Sequence, residues 1–209
     1  MRHPIRVRTL VPALAALAAA GLLTGCLGTE PAPDKPAGTT AAKPGAKGAA
    51  SLGAPGTACA LPVSFELAEN WKPKAVTVSA DDEIAAALGK QGPATMVCEI
   101  DAKSAGNIGF LRVWSAGKGP AKAALEGFVK AEKNASKVVY NEIAAGGTPA
   151  TEVTYTVYNK IMEESKEERA FALSTPKGTV IIHLGGLDTQ EHREMLPAYE
   201  LARSSVKAL

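Results

Sequence analysis

KVVYNEIAAGGTPATEVTYTVY, residues 137–158, decides the fold, because two strand-like runs flank a Gly-Gly-Thr-Pro break. Lys137–Ile143 and Thr151–Tyr158 are rich in β-branched and aromatic residues, and Val153, Tyr155 and Val157 alternate onto one face. Gly146, Gly147 and Pro149 supply turn chemistry between them. Arg169–Leu173 and Thr179–Leu184 repeat the pattern around Thr175-Pro176-Lys177-Gly178. Short turns between successive strands imply antiparallel pairing, since a parallel crossover needs about a dozen residues or more.

Strands are also expected at Val63–Leu67, Ala75–Val78, Ala94–Asp101 and Ile108–Trp114. Alternation in the third of these puts Met96, Cys98 and Ile100 on one face. The fourth is apolar on both faces, as a covered central strand should be. Helices are expected at Asp81–Leu88, with Gly89 as a cap, and after Gly119-Pro120. In the second helix Ala121, Leu125, Phe128 and Val129 form a stripe with helical spacing. A last helix opens at Asp188, followed three residues on by Glu191 in a capping-box spacing. It offers Leu196, Tyr199, Leu201, Ala202 and Val206 for burial, and Pro197 should bend it. Helices on a largely antiparallel sheet make an α+β domain.

The chain before this domain is of another kind. Residues 1–25 have Arg2, Arg6 and Arg8, no acid, and an apolar run from Thr9 to Leu23. A basic start, a short apolar middle and small residues at the end describe a secretory signal peptide. The run is too short and alanine-rich for a spanning helix of about 20 apolar residues. Leu23-Thr24-Gly25-Cys26 resembles the lipobox of bacterial lipoproteins, which implies cleavage before Cys26 and a diacylglyceryl group on its sulfur. The other reading is an ordinary signal peptide with a chance cysteine. Several acyl chains, at about 0.8 kcal/mol per buried methylene, anchor a protein stably where one does not.

Charge changes with that cut. The chain carries 23 basic and 21 acidic residues, and removing three arginines leaves 20 against 21, a net of −1. No basic face remains to argue for nucleic acid. Residues 26–57, after the cysteine, are mostly Ala, Gly, Pro and Thr without an aromatic residue, and are expected to be a disordered tether. Residues 58–209 are then one globular domain of ordinary size. Its only cysteines, Cys59 and Cys98, are expected to pair outside the cytoplasm, the other reading being two separately buried thiols.

The order of elements, Trp71 after the first strand, and VIIHLGGLDTQEHREMLPAYELA (residues 180–202) resemble the PsbP-like domains of actinobacterial lipoproteins of the LpqN and LpqT type. The resemblance implies an α/β/α sandwich that binds something or accompanies an assembly, and it brings no catalytic residues.

Few motifs in the chain carry chemistry. There is no HExxH, CxxC, GxSxG or SxxK. His183, read as a strand histidine at the sheet edge, and His192, read as a solvated helix histidine, could approach a carboxylate across their turn, but no metal or cofactor is expected. Gly185-Gly186 reads as a tight turn and not an anion cradle, since Asp188 would repel the anion. Glu163–Glu168 reads as a solvated hairpin tip. Trp71, Trp114 and His183 are the candidates for a ligand groove, with Trp114 also read as core. The expectation is a non-enzymatic lipoprotein, anchored on the extracytoplasmic face of the cell membrane, that binds an envelope protein or a small apolar ligand. A cell-wall or ester hydrolase using His183 is the alternative. A solute receptor would want two lobes.

Overall fold

Strand pairing in the middle of the chain follows the sequence pattern in the computed structural model, which describes residues 46–79 and 83–209. In chain order the elements begin with β1 (Gly48–Leu52), β2 (Val63–Ala68), β3 (Lys72–Ala75), α1 (Glu83–Gly89), β4 (Lys90–Gln91) and β5 (Ala94–Asp101). They continue with β6 (Gly109–Ala116), α2 (Ala121–Lys130), β7 (Ala135–Ala145), β8 (Thr148–Asn159) and β9 (Glu164–Thr175). The chain closes with β10 (Gly178–Gly186), α3 (Thr189–Ser205) and β11 (Lys207–Ala208).

The main sheet runs β3-β5-β6-β10-β9-β8-β7, with β4 added beside β5, and its pairs are antiparallel. Gly146 and Gly147 join β7 to β8 with φ of 55° and 82°. A two-residue turn with positive φ at both positions matches the twist of the strands it connects. At Gly146 a Cβ would also lie 1.7 Å from the Val206 carbonyl oxygen, so only glycine fits.

Both faces of the sheet are covered. On one, Leu125, Phe128 and Val129 of α2 pack with Trp114, Val153, Tyr155 and Ile181. Fully burying Leu125 or Phe128 contributes roughly 2 kcal/mol each. On the other, α3 and a small sheet, β1-β2-β11, pack Phe65 and Tyr199 against Ile100, Leu111, Phe171 and Ile182. The Asp188 carboxylate accepts from the Glu191 N–H at 2.8 Å and caps α3. The Glu191 carboxylate turns to the Ile108 N–H instead of closing the box. Cys59 and Cys98 form a disulfide with Cα atoms 6.0 Å apart, tying the approach to β2 onto β5.

Several expectations change. The signal segment, Cys26 and the tether as far as residue 45 lie outside the described residues. Within residues 26–57, however, Gly48–Leu52 is not tether: it pairs with β2, and Leu52 is buried. The folded domain therefore reaches back beyond residue 58, to Ala46 at least, which packs against the core. Small residues suffice there because the backbone of β2 supplies the partners. Met96 does not share a face with Cys98. A bulge between them sends Met96 under α2, while Cys98 and Ile100 face α3. The strand expected at Ala75–Val78 lies earlier, at Lys72–Ala75, and only Val76 of the later residues bonds on to Val97. Glu164–Glu168 is not a solvated tip but the first half of β9, because β8 pairs with it unbroken from Thr151↔Ala172 as far as Asn159↔Glu164. No helix among the described residues is long and apolar enough to cross a membrane.

Candidate functional site

β10 is the central strand of the main sheet, so His183 stands mid-sheet between Ala170 of β9 and Arg112 of β6, and not at an edge. Its side chain points to the α2 face, where its ring meets Phe128 edge-on at 5.4 Å and stacks with Tyr155 at 6.4 Å. Period-two alternation along β9 brings Glu168 and Lys166 to that same face, in step with Ala170 and Ala172. α2 covers only part of the face. Beyond Trp114 and His183 lies a cavity of about 380 Å³.

The cavity has a polar floor. His183 Nε2 lies 2.8 Å from Glu168 Oε2, and Lys166 Nζ lies 2.7 Å from Glu168 Oε1. Lys166 also donates to the Gly186 carbonyl at 3.0 Å. Burial opposes ionisation of Glu168, but the charges and hydrogen bonds of His183 and Lys166 outweigh it and hold its pKa below the usual carboxylate value. An ionised Glu168 accepts only, so the Nε2–H of His183 donates to it. Tyr155 Oη lies 3.2 Å from the same Nε2. Burial, with the charges of Glu168 and Glu132, raises the Tyr155 pKa well above 10 and keeps the phenol neutral.

Two residues of the lining each hold a fully buried ring nitrogen without a hydrogen-bond partner, Nδ1 of His183 and Nε1 of Trp114. Such atoms are rare in native proteins. The charged residues of the lining balance, Arg112 and Lys166 against Glu132 and Glu168. Arg112 is itself held by Glu99 at 2.8 Å and lies over the Phe110 ring. The rim is apolar: Leu88 is 72% and Ile108 59% exposed, with Leu187 beside them.

Of the three groove candidates, the structure joins two. Trp114 and His183 line the cavity, whereas Trp71 packs in the core on the α3 side of the sheet. His192 is not solvated, being 3% exposed with Nδ1 unpartnered. Among the described residues no cluster of three His, Cys, Asp or Glu side chains is placed to hold a metal ion. Sequence reasoning missed Lys166, Glu168 and Tyr155. The signal was there, since extending the alternation of Arg169–Leu173 backwards places Lys166 and Glu168 beside the inward alanines. No hydroxyl or thiol side chain stands among the residues lining the cavity, although the Glu168–His183 dyad could hold a proton.

A larger open groove of about 540 Å³ follows α3 past Ala46, Leu196, Pro197 and Leu201. Its charged residues are already paired, Arg193 with Glu167 and Glu200 with Arg169 and Arg203. It offers a ligand shape but no unpartnered group.

None of the curated proteins matches the chain. Residues 29–206 match a family described as uncharacterised lipoprotein. Since that match takes in every described strand of the main sheet and all the residues of the cavity, the chain belongs to this family of lipoproteins.

Proposed function

We propose that the protein is a lipid-anchored lipoprotein on the extracytoplasmic face of the cell membrane, whose domain is a non-enzymatic binding module. The lipobox-like Leu23–Cys26 and the lipoprotein family support the anchor. The cavity carries the binding reading, above all the linked Lys166, Glu168 and His183 on its floor beneath the exposed Leu88, Ile108 and Leu187. Helices on both faces of an antiparallel sheet are compatible with the PsbP-like, LpqN- and LpqT-type relationship and an actinobacterial source.

Anchoring is tested by Cys26→Ser, which should move the protein from the membrane pellet to the soluble fraction; retention in the pellet would sink it. Binding is tested by isolating the full chain from native membranes and analysing co-purified small molecules by mass spectrometry. A bound molecule should be found, and Gly185→Leu, which fills the cavity beside Glu168, should remove it. An empty wild-type protein would refute this site. The hydrolase reading draws on the Glu168–His183 dyad alone. Ester or wall-fragment turnover abolished by His183→Ala would put it in place of the binding reading.

A further inference from the structure

We infer that one end of the main sheet lies on the lipid surface, with Ile161 and Met162 of the β8–β9 turn seated among the acyl chains. The inference rests on the lipid anchor of the proposed function. The β10–β6 ladder ends at Gly186↔Gly109, with Leu187 and Ile108 exposed just beyond it. β8 and β9 run on past that level to Asn159↔Glu164, so their turn projects from the same end. Asn159 holds the turn from within, its Oδ1 accepting from the N–H groups of Ile161 at 2.9 Å and Met162 at 3.2 Å. The turn thereby presents Ile161, 94% exposed, with Met162 and Tyr158 beside it. Apolar side chains held out in water carry an unfavourable hydration that an apolar partner removes.

The chain enters the domain at this same end, which favours a membrane over a protein as the partner. β3 begins there, since Lys72 pairs with Asp101 and Asp101 with Phe110, next to Gly109. A turn from Ala68 to Trp71 precedes it, Gly48 pairs with Ala68, and the Glu69 N–H donates to the Lys47 carbonyl at 3.1 Å. The 20 residues from Cys26 to Ala46 would average about 25 Å as a coil, so the anchoring bilayer is within reach of this end. The residues suit an interface. Tyr158 joins an apolar ring to a polar tip, as favoured at headgroup depth, and the long stem of Lys160 can return its amine to water. Exposed charges of both signs share this end, Lys72, Lys103 and Lys160 with Glu69, Glu163 and Glu164. Apolar insertion, and not attraction to anionic headgroups, therefore does the seating.

The test uses the lipidated protein on nanodiscs of phosphatidylcholine, with Ile, Leu and Met methyl groups labelled for NMR and a spin label on some of the lipid headgroups. The methyl signals of Ile161 and Met162 should be lost and those of Ile108 and Leu187 weakened. Leu209, exposed at the other end of the sheet beside Lys177, should keep its signal. Ile161→Asp together with Met162→Asp alters no buried side chain and leaves the Asn159 hydrogen bonds to the backbone. This variant should stay on the discs through its anchor while the Ile108 and Leu187 signals return. Loss at none of these methyls, or at Leu209 as much as at Ile161, would show a domain free on its tether and overturn the inference while leaving the anchor. Loss that appears only when phosphatidylglycerol is added would overturn apolar seating in favour of charge. A wild-type protein that does not stay with the discs would overturn the anchor, and the inference with it.

Discussion

Burial sets the chemistry of His192. It lowers the imidazole pKa to about 4, against the charges of Glu168 and Glu167, which pull the other way. The unfolded chain takes up this proton near pH 6.5 and the folded one only near pH 4. Stability is therefore complete above the higher value and falls by roughly 3 kcal/mol across that window. Urea unfolding followed from about pH 7.5 down to pH 4 should show this slope, and His192→Leu should flatten it. Glu168 acts lower on the scale: its depressed pKa means that the stability of its ion pairs is lost only as pH falls below the ordinary carboxylate range. Glu168→Gln leaves Lys166 and His183 facing a neutral amide and should cost about 3 kcal/mol at neutral pH, read as a shift of the urea midpoint. Tyr199 is pinned by the same means on the other face, where its hydroxyl donates to the buried Glu152 at 2.9 Å.

β1 is the element that composition concealed. Gly-Ala-Ala-Ser-Leu has one large apolar residue, and nothing in its own period distinguishes it from the Ala-Gly-Pro run before it. Its order comes from the waiting edge of β2. Leu52→Ala should cost roughly 3 kcal/mol in chemical denaturation, whereas the same change in a tether would be silent. The β7–β8 and β9–β10 hairpins, by contrast, were legible because period-two alternation and turn residues agree there. α2 and the Asp188 cap were legible for similar reasons: a stripe and a cap are local patterns. The bulge at Met96 was not, since it exists only in the register between β5 and β6. Charge hid the first half of β9, where Lys166 and Glu168 read as solvent-facing until β8 sets the length of its partner. Half the candidate site was therefore legible, His183 and Trp114. The groups that tune it were masked by the rule that charged residues lie outside.

At the scale of the molecule, Cys59–Cys98 closes a separation of 39 residues and joins the α3-side layer to the main sheet. On the chain-entropy view such a link stabilises by about 4 kcal/mol. Reducing it should lower the urea midpoint accordingly, and non-reduced peptide mapping should recover the two cysteines in one linked fragment. The position of the disulfide has a mechanical corollary. Any pull delivered from the N-terminal side reaches the described domain at Ala46 and is first resisted by the hydrogen bonds of β1 to β2. Those bonds can be undone one after another from Gly48 inward. Stripping then halts at Cys59, where tension divides between the chain running into β2 and a covalent path straight into β5. Under such a pull the segment from residue 46 to residue 58 would extend before the sheet that carries the cavity is loaded.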